Sequence, residues 1–354
     1  MNHFTDYIVI GGGASGCAVT SKLLDNNKKV CLFEAGYSHH NFLLDVPAGF
    51  FKVINNSSKY ATYHKTNPQK HLGGRQNIIP QGNVLGGGTS INAQVYMRGR
   101  AEDYNEWQEI LRGNNDSEGW SWNDVLPYFK EMENNNRIDD QYHGTTGRLN
   151  VTDSSCVNEL SHDFVKTVHR LGVPLTDDFN GKEQKGVGLY QFMNSKGKRS
   201  SAAYAFIEPH KKNPNLNLKL QTKVEKIIIE NNKAIGVEYK NNYGQISQYF
   251  ANKEVLIASG SFITPKLLML SGIGNQQELS RLGIDCLIDL PGVGENLIDH
   301  PECPLIAKTN GKYGYYKQGQ GWRMIKNGLQ FLFFGKGPAN STGVEAGAFI
   351  NPLD

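Results

Sequence analysis

The sequence has no long apolar run. Its longest such stretches, Leu267-Leu268-Met269-Leu270 and Phe331-Leu332-Phe333-Phe334, fall far short of the roughly 20 residues that a membrane-spanning helix needs. An excess of one charge is also missing. Lys and Arg number 37 against 34 Asp and Glu, the net charge is +3, and no basic run of five residues occurs. That balance excludes a partner recruited chiefly by phosphate charge, so no nucleic acid is expected. Cysteine is sparse. Cys17, Cys31, Cys156, Cys286 and Cys303 are odd in number and scattered, and the first two read as small buried apolar residues rather than bridge partners. Met1 passes almost directly into a strand-like segment, which leaves no room for a secretory or transit peptide. With the scattered thiols, this points to a reducing, cytoplasmic compartment. Several catalytic patterns are absent: no H-E-x-x-H, no paired C-x-x-C, no G-x-S-x-G. His39-His40 has the wrong spacing for a metal pair on a helix and no cysteine nearby, so no metal is expected.

What is present begins at Tyr7. Tyr7-Ile8-Val9-Ile10 is a short apolar strand, and Gly11-Gly12-Gly13-Ala14-Ser15-Gly16 follows at once with glycines at every position of G-x-G-x-x-G. Cys17 to Leu24 reads as a helix, Val30 to Phe33 as the next strand, and Glu34 ends it. Each part has a physical task in holding a dinucleotide. Gly11 makes the tight turn, Gly13 lets backbone N–H groups approach a pyrophosphate, and Gly16 lets helix and strand pack closely. The helix N-terminus, with Ser15 in its first turn, offers partial positive charge to phosphates. Glu34, about 20 residues on, is placed to accept hydrogen bonds from an adenosine ribose.

Farther along, the texture is mixed α/β. Glu159 to Leu171 carries apolar residues at helical spacing and stops at Gly172. Leu216 to Leu220, Val224 to Ile229, Ala234 to Tyr239 and Glu254 to Ala258 read as strands, and a helix is predicted from Pro265. Asparagine clusters at 55–56, 114–115, 134–136, 231–232 and 241–242 read as surface turns.

Two further motifs settle the resemblance. One runs from Gly82-Asn83-Val84-Leu85-Gly86-Gly87-Gly88-Thr89-Ser90-Ile91-Asn92 through Tyr96, Arg98, Gly99 and Asp103 to Trp107. The other is Gly260-Ser261-Phe262-Ile263-Thr264-Pro265 through Ser271-Gly272-Ile273-Gly274. With Arg199-Ser200-Ser201-Ala202 and Pro291-Gly292-Val293-Gly294 between and after them, these resemble the glucose–methanol–choline (GMC) oxidoreductase family, the choline dehydrogenase-like and aryl-alcohol oxidase-like FAD enzymes. The resemblance extends from Asp6 to about Ile350. It implies an α/β fold: a doubly wound, Rossmann-like FAD-binding domain at 1–155 and 215–304, and a partial α+β substrate domain at 156–214 and 305–354. It implies that Gly87 and Gly88 bring bare backbone against the cofactor, that Asn92 lies beside the isoalloxazine, and that the Val224 backbone holds the adenine. A turn cap is the competing role for Asn92. Those family members that attach FAD covalently use a His beside that Asn. Ile91 stands there instead, so FAD is expected to be non-covalent.

The resemblance puts the family's catalytic base in a segment beyond Asp354, so no residue of this sequence is matched to it. His300 is read as a packed or hydrogen-bonded residue, not a base. The chain therefore reads as a C-terminally truncated, inactive relative that retains FAD. The alternative is the N-terminal portion of a working FAD-dependent alcohol oxidoreductase, completed by a segment not in this chain. The substrate, if any, is a small alcohol. Apolar surface left exposed by the truncation, with the strand at Gly347 to Ile350 left as a sheet edge, is expected to drive self-association. An NAD-dependent dehydrogenase would share the first fingerprint, but not the two later motifs.

Overall fold

A computed structural model describes residues 3–55, 58–112 and 119–351. The fold grows from two short strands that have no polar face. Strand β1 (His3–Ile10) runs parallel to β2 (Val30–Phe33), with Ile8 opposite Cys31 and Ile10 opposite Phe33. Every residue of β2 is buried, and so are Ile8, Val9 and Ile10. Such runs are stable only where both sheet faces are covered. Both are. Ile8, Ile10, Cys31 and Phe33 point to one side, where they meet Val237, Tyr249 and Leu267. Val9, Val30 and Leu32 point to the other, against Cys17, Leu24, Leu85 and Ile207. Helix α1 (Ala14–Asp25) brings Cys17 and Leu24, and the helix Gly260–Leu270 brings Leu267.

The sheet has six strands in the order Leu216–Lys219, β2, β1, Ile246–Ile257, Lys233–Lys240, Lys223–Glu230. The first four are parallel, and the last two add antiparallel strands at one edge. This is the doubly wound α/β arrangement that the fingerprint implies. The hairpin between the edge strands turns on Asn231 and Asn232, both left-handed with φ of 50° and 61°, a conformation asparagine tolerates. The helix predicted from Pro265 starts five residues earlier, at Gly260, so Pro265 lies inside its first two turns.

The chain packs into two compact units, residues 1–41, 53–91 and 201–307 forming one and residues 42–52, 92–200 and 308–354 the other. The second contains the helices Trp122–Met132, Glu159–Arg170 and Gly321–Phe334 and several small sheets. Asn158 caps the Glu159 helix by accepting from the Leu160 N–H. The strand Ala346–Phe349 pairs antiparallel with Gly186–Leu189 in a two-stranded sheet, so it is an edge strand, as the sequence leads one to expect. Its partner lies far away along the chain, where local pattern gives no sign of it. No helix among the described residues is long and apolar enough to cross a membrane.

One asparagine cluster is not a turn. Residues Glu133–Asn135 form a strand parallel to Leu149–Asp153, and Asn135 is buried. Its side chain donates to Glu133 and Gln191 at 2.8 Å each, inside a buried charge network. Arg98 pairs with Glu133, His143 Nδ1 lies 2.9 Å from Glu133, and His143 Nε2 lies 3.2 Å from Asp178. Asn56, Asn114 and Asn115 of the other clusters lie outside the described residues.

This network makes stability pH-dependent. Burial works against the charged His143, but its hydrogen bonds to Asp178 and Glu133 outweigh that and raise it from 6.5 to about 9. A raised folded-state value stabilises the fold fully below about 6.5, and the contribution disappears as pH climbs through about 9. Its size is on the order of 3 kcal/mol. Urea unfolding at pH 6 and pH 9.5 should show this loss in the native chain and a much smaller one in His143→Gln. Parallel pH curves for the two would count against the coupling.

Candidate functional site

The three fingerprint glycines do three different jobs. Gly11 has φ +99°, and a Cβ there would lie 2.6 Å from the Ala258 carbonyl oxygen, so the turn leaving β1 admits no side chain. A Cβ on Gly16 would lie 1.8 Å from the Gly11 oxygen, which forces helix and strand into contact. Gly13 is different. A Cβ there would meet nothing nearer than the Ala258 oxygen at 4.0 Å, so its side faces open space. Gly13 also caps α1 without a side chain, leaving the N–H groups of the exposed first turn at Ala14 and Ser15 available to an anion.

A second glycine turn closes against the first. The segment after β2 runs alongside residues 83–85, with Tyr37 N–H donating to Asn83 and Leu85 N–H donating to Tyr37. Gly86 N–H then donates to the Gly12 oxygen at 2.6 Å, and a Cβ on Gly87 would lie 2.9 Å from the Gly13 Cα. Gly88 faces open space. Thr89 fixes the turn by donating to the Gly86 oxygen at 2.6 Å and accepting from Ala202 N–H at 3.0 Å. The result is a face of bare backbone in front of a helix N-terminus.

Glu34 is buried at the end of β2 and accepts from Gly12 N–H at 2.8 Å and Gly36 N–H at 2.6 Å. Burial raises its carboxyl from the ordinary value, while those two N–H groups work to lower it. Each oxygen keeps a further lone pair. Val224 lies on the sheet's edge strand, beside a break in pairing between Val224 and Lys226. Cys17 donates to the Gly12 oxygen at 3.2 Å, and burial pushes its thiol up to about 12, so it is an inert packing residue.

Asn92 belongs to the second unit. Its Oδ1 accepts from Gln94 N–H at 3.0 Å, the turn-capping geometry, and from Arg199 Nη1 at 2.9 Å. Arg199 also donates to the Asn92 carbonyl at 2.8 Å and to Leu44 at 2.9 Å. Burial lowers this guanidinium to about 9, with Asp45 opposing, which still leaves it charged at neutral pH. Arg199 as the holder of Asn92 was not legible as such. It appears in the sequence only as a landmark, far from Asn92. Of the two roles read for His300, packed or hydrogen-bonded, the structure shows no packing, since the residue is exposed, and one hydrogen bond, its backbone N–H donating to Asp299 at 2.8 Å. The residue lies on a stretch without regular structure. Ile91 is buried, and beside Asn92 it provides no nucleophile.

Comparison with known proteins identifies the chain's relatives. The GMC oxidoreductase family model matches residues 5–302. The oxygen-dependent choline dehydrogenase of Sinorhizobium fredii is 38% identical over 346 residues, which cover 98% of this chain and 62% of that protein. The alcohol dehydrogenase (acceptor) of Pseudomonas putida is 38% identical over 353 residues, with the same shares of the two chains, 98% and 62%. Among solved structures, an FAD-dependent oxidoreductase from Chaetomium thermophilum is similar with a TM-score of 0.84 at 26% identity, covering 97% of this chain and 61% of that one. The chain thus spans about 62% of the length of the curated relatives it matches. On these grounds the chain belongs to the GMC oxidoreductase family.

Proposed function

We propose that the chain is the FAD-holding portion of an FAD-dependent oxidoreductase acting on the CH–OH group of a small alcohol. The observation that carries this is the meeting of the two glycine turns, Gly86 N–H on the Gly12 oxygen with Gly13 and Gly88 left open, in front of the uncapped α1. The open backbone at Gly13 and Gly88, with Ser15, would hold the pyrophosphate, and Gly11, Gly16 and Gly87 would shape the turns that present it. Glu34 would take the adenosine ribose, the Val224 backbone the adenine, and Asn92 the neighbourhood of the isoalloxazine. FAD, when bound, supplies a two-electron acceptor for the carbinol hydride. Residues 1–155 and 215–304 would serve the cofactor and 156–214 and 305–354 the substrate. The compact units divide the chain differently at 42–52, 92–155, 201–214 and 305–307, because packing and ligand contact are separate criteria. A cytoplasmic location and self-association belong to the same reading. The helix Gly321–Phe334 supports the latter by exposing Trp322, Ile325, Leu332, Phe333 and Phe334.

FAD is expected to be bound without a covalent link, since Ile91 has no group to form one. Glu34 disfavours a ribose 2′-phosphate by charge, so NADP should not compete. Acid precipitation should release one equivalent of flavin into the supernatant. Flavin retained in the pellet would refute the non-covalent assignment, and a colourless chain that takes up no added FAD would refute the cofactor.

A further inference from the structure

The bend after β2 holds an unexplained histidine. His39 is 4% exposed, yet neither Nδ1 nor Nε2 has a hydrogen-bond partner. A buried polar group without a partner costs about 1–3 kcal/mol, so its retention calls for a reason. His39 faces a carboxylate and a second imidazole. Its Nε2 lies 3.7 Å from Glu208 Oε2, and His40 Nε2 lies 3.3 Å from the same oxygen. The two rings are 4.0 Å apart, and the Tyr204 ring stands edge-on to His39 at 4.6 Å. Glu208 comes from the turn Glu208–His210, which directly follows a single wide helical turn at Ala203–Ile207. Lys211 bonds the other carboxylate oxygen, Oε1, and so turns Oε2 toward the imidazoles.

We propose that His39, His40 and Glu208 form a binding site for a divalent transition cation of the zinc type. The three ligand atoms lie within 4.8 Å of one another. A tetrahedral zinc with bonds of about 2.0–2.1 Å sets its ligand atoms roughly 3.3 Å apart, so closure by a few tenths of an ångström suffices for the two measured pairs. Two imidazoles and one carboxylate suit Zn²⁺, Ni²⁺ or Cu²⁺ and disfavour Ca²⁺ and Mg²⁺, which take oxygen donors. His40 is exposed, so the fourth position is open to water. The cation would tie the loop after β2 to the turn at Glu208. The sequence held no sign of this, because adjacent histidines show two ligands and the third arrives only through the fold.

The test is equilibrium dialysis of the chelator-treated chain against ZnCl₂, with metal analysis. One zinc per chain is expected at micromolar concentration, and Co²⁺ in its place should give a tetrahedral visible spectrum. His40→Ala and Glu208→Gln alter an exposed and a half-buried side chain, so their folding, checked by thermal melt, should be retained. Each is expected to weaken zinc binding at least about tenfold, and His39→Gln likewise. If His39→Gln does not fold, the other two variants decide. No retained zinc in the native chain, or undiminished binding in both His40→Ala and Glu208→Gln, would overturn the site.

Discussion

A Gly13→Val chain is expected to keep its melting temperature and to bind FAD at least about 100-fold more weakly. The two halves of that result have different origins. Gly13 has φ −76° and ψ −164°, extended backbone that any residue adopts, and its Cβ position has only the Ala258 oxygen at 4.0 Å. A side chain beginning with a Cβ therefore meets no backbone clash there. It would, however, fill the open space in front of the first turn of α1, where the pyrophosphate is proposed to sit. Losing two hydrogen bonds to a charged group, each about 1.5–3 kcal/mol, accounts for a 100-fold loss, which is about 2.7 kcal/mol. Gly16→Val is the contrasting variant. Its Cβ would fall 1.8 Å from the Gly11 oxygen, a backbone clash that no rotamer relieves, so fold and cofactor should be lost together. Flavin fluorescence titration and a circular dichroism melt on each variant separate the two effects. Native-like FAD binding by Gly13→Val would mean that the cofactor does not lie at this helix terminus.

What could be read from the sequence was local. The unit from β1 to β2 was legible because its glycines, its apolar runs and Glu34 act within about 30 residues, and each restricts its neighbours sterically. The strands at Lys223–Glu230 and Lys233–Lys240 were legible for the same reason, with two turn-forming asparagines between two apolar runs. What failed was non-local or polar. Glu133–Asn135 has the composition of a turn, and only the arrival of Arg98, His143 and Gln191 makes it a buried strand. Ala346–Phe349 finds its pairing partner at Gly186–Leu189, which no periodicity discloses. In the candidate site, the glycine turns were legible as two motifs, but their contact at Gly12 and Gly86 was not. The Arg199 clamp on Asn92 and the approach of Glu208 to His39 belong to the same class, short distances across long separations in sequence.

Residues 1–354, assayed as one chain with FAD, are expected to show no alcohol turnover above background. Alcohol oxidation of this type needs a base for the hydroxyl proton, and a positioned base is typically worth about 10²–10⁴-fold. The chain has 10 histidines, all among the described residues, and three are buried: His39, His143 and His210. His143 is held between Glu133 and Asp178 and raised to about 9, so it is protonated at neutral pH and cannot accept a proton. His210 lies 3.2 Å from Ser21 and 3.4 Å from Asp25, occupied within the packing of α1. His39 is lowered to about 4, by burial first and by His40 next, which makes it a weak base at working pH. His300 is exposed on an irregular stretch with no packing to position it. The measurement is reduction of an artificial electron acceptor with choline, benzyl alcohol and short aliphatic alcohols as substrates. Turnover that survives purification and requires FAD would place a base within these 354 residues. Repeating the assay with His39→Gln, His143→Gln and His300→Gln would then identify it by a loss of about 10²-fold or more.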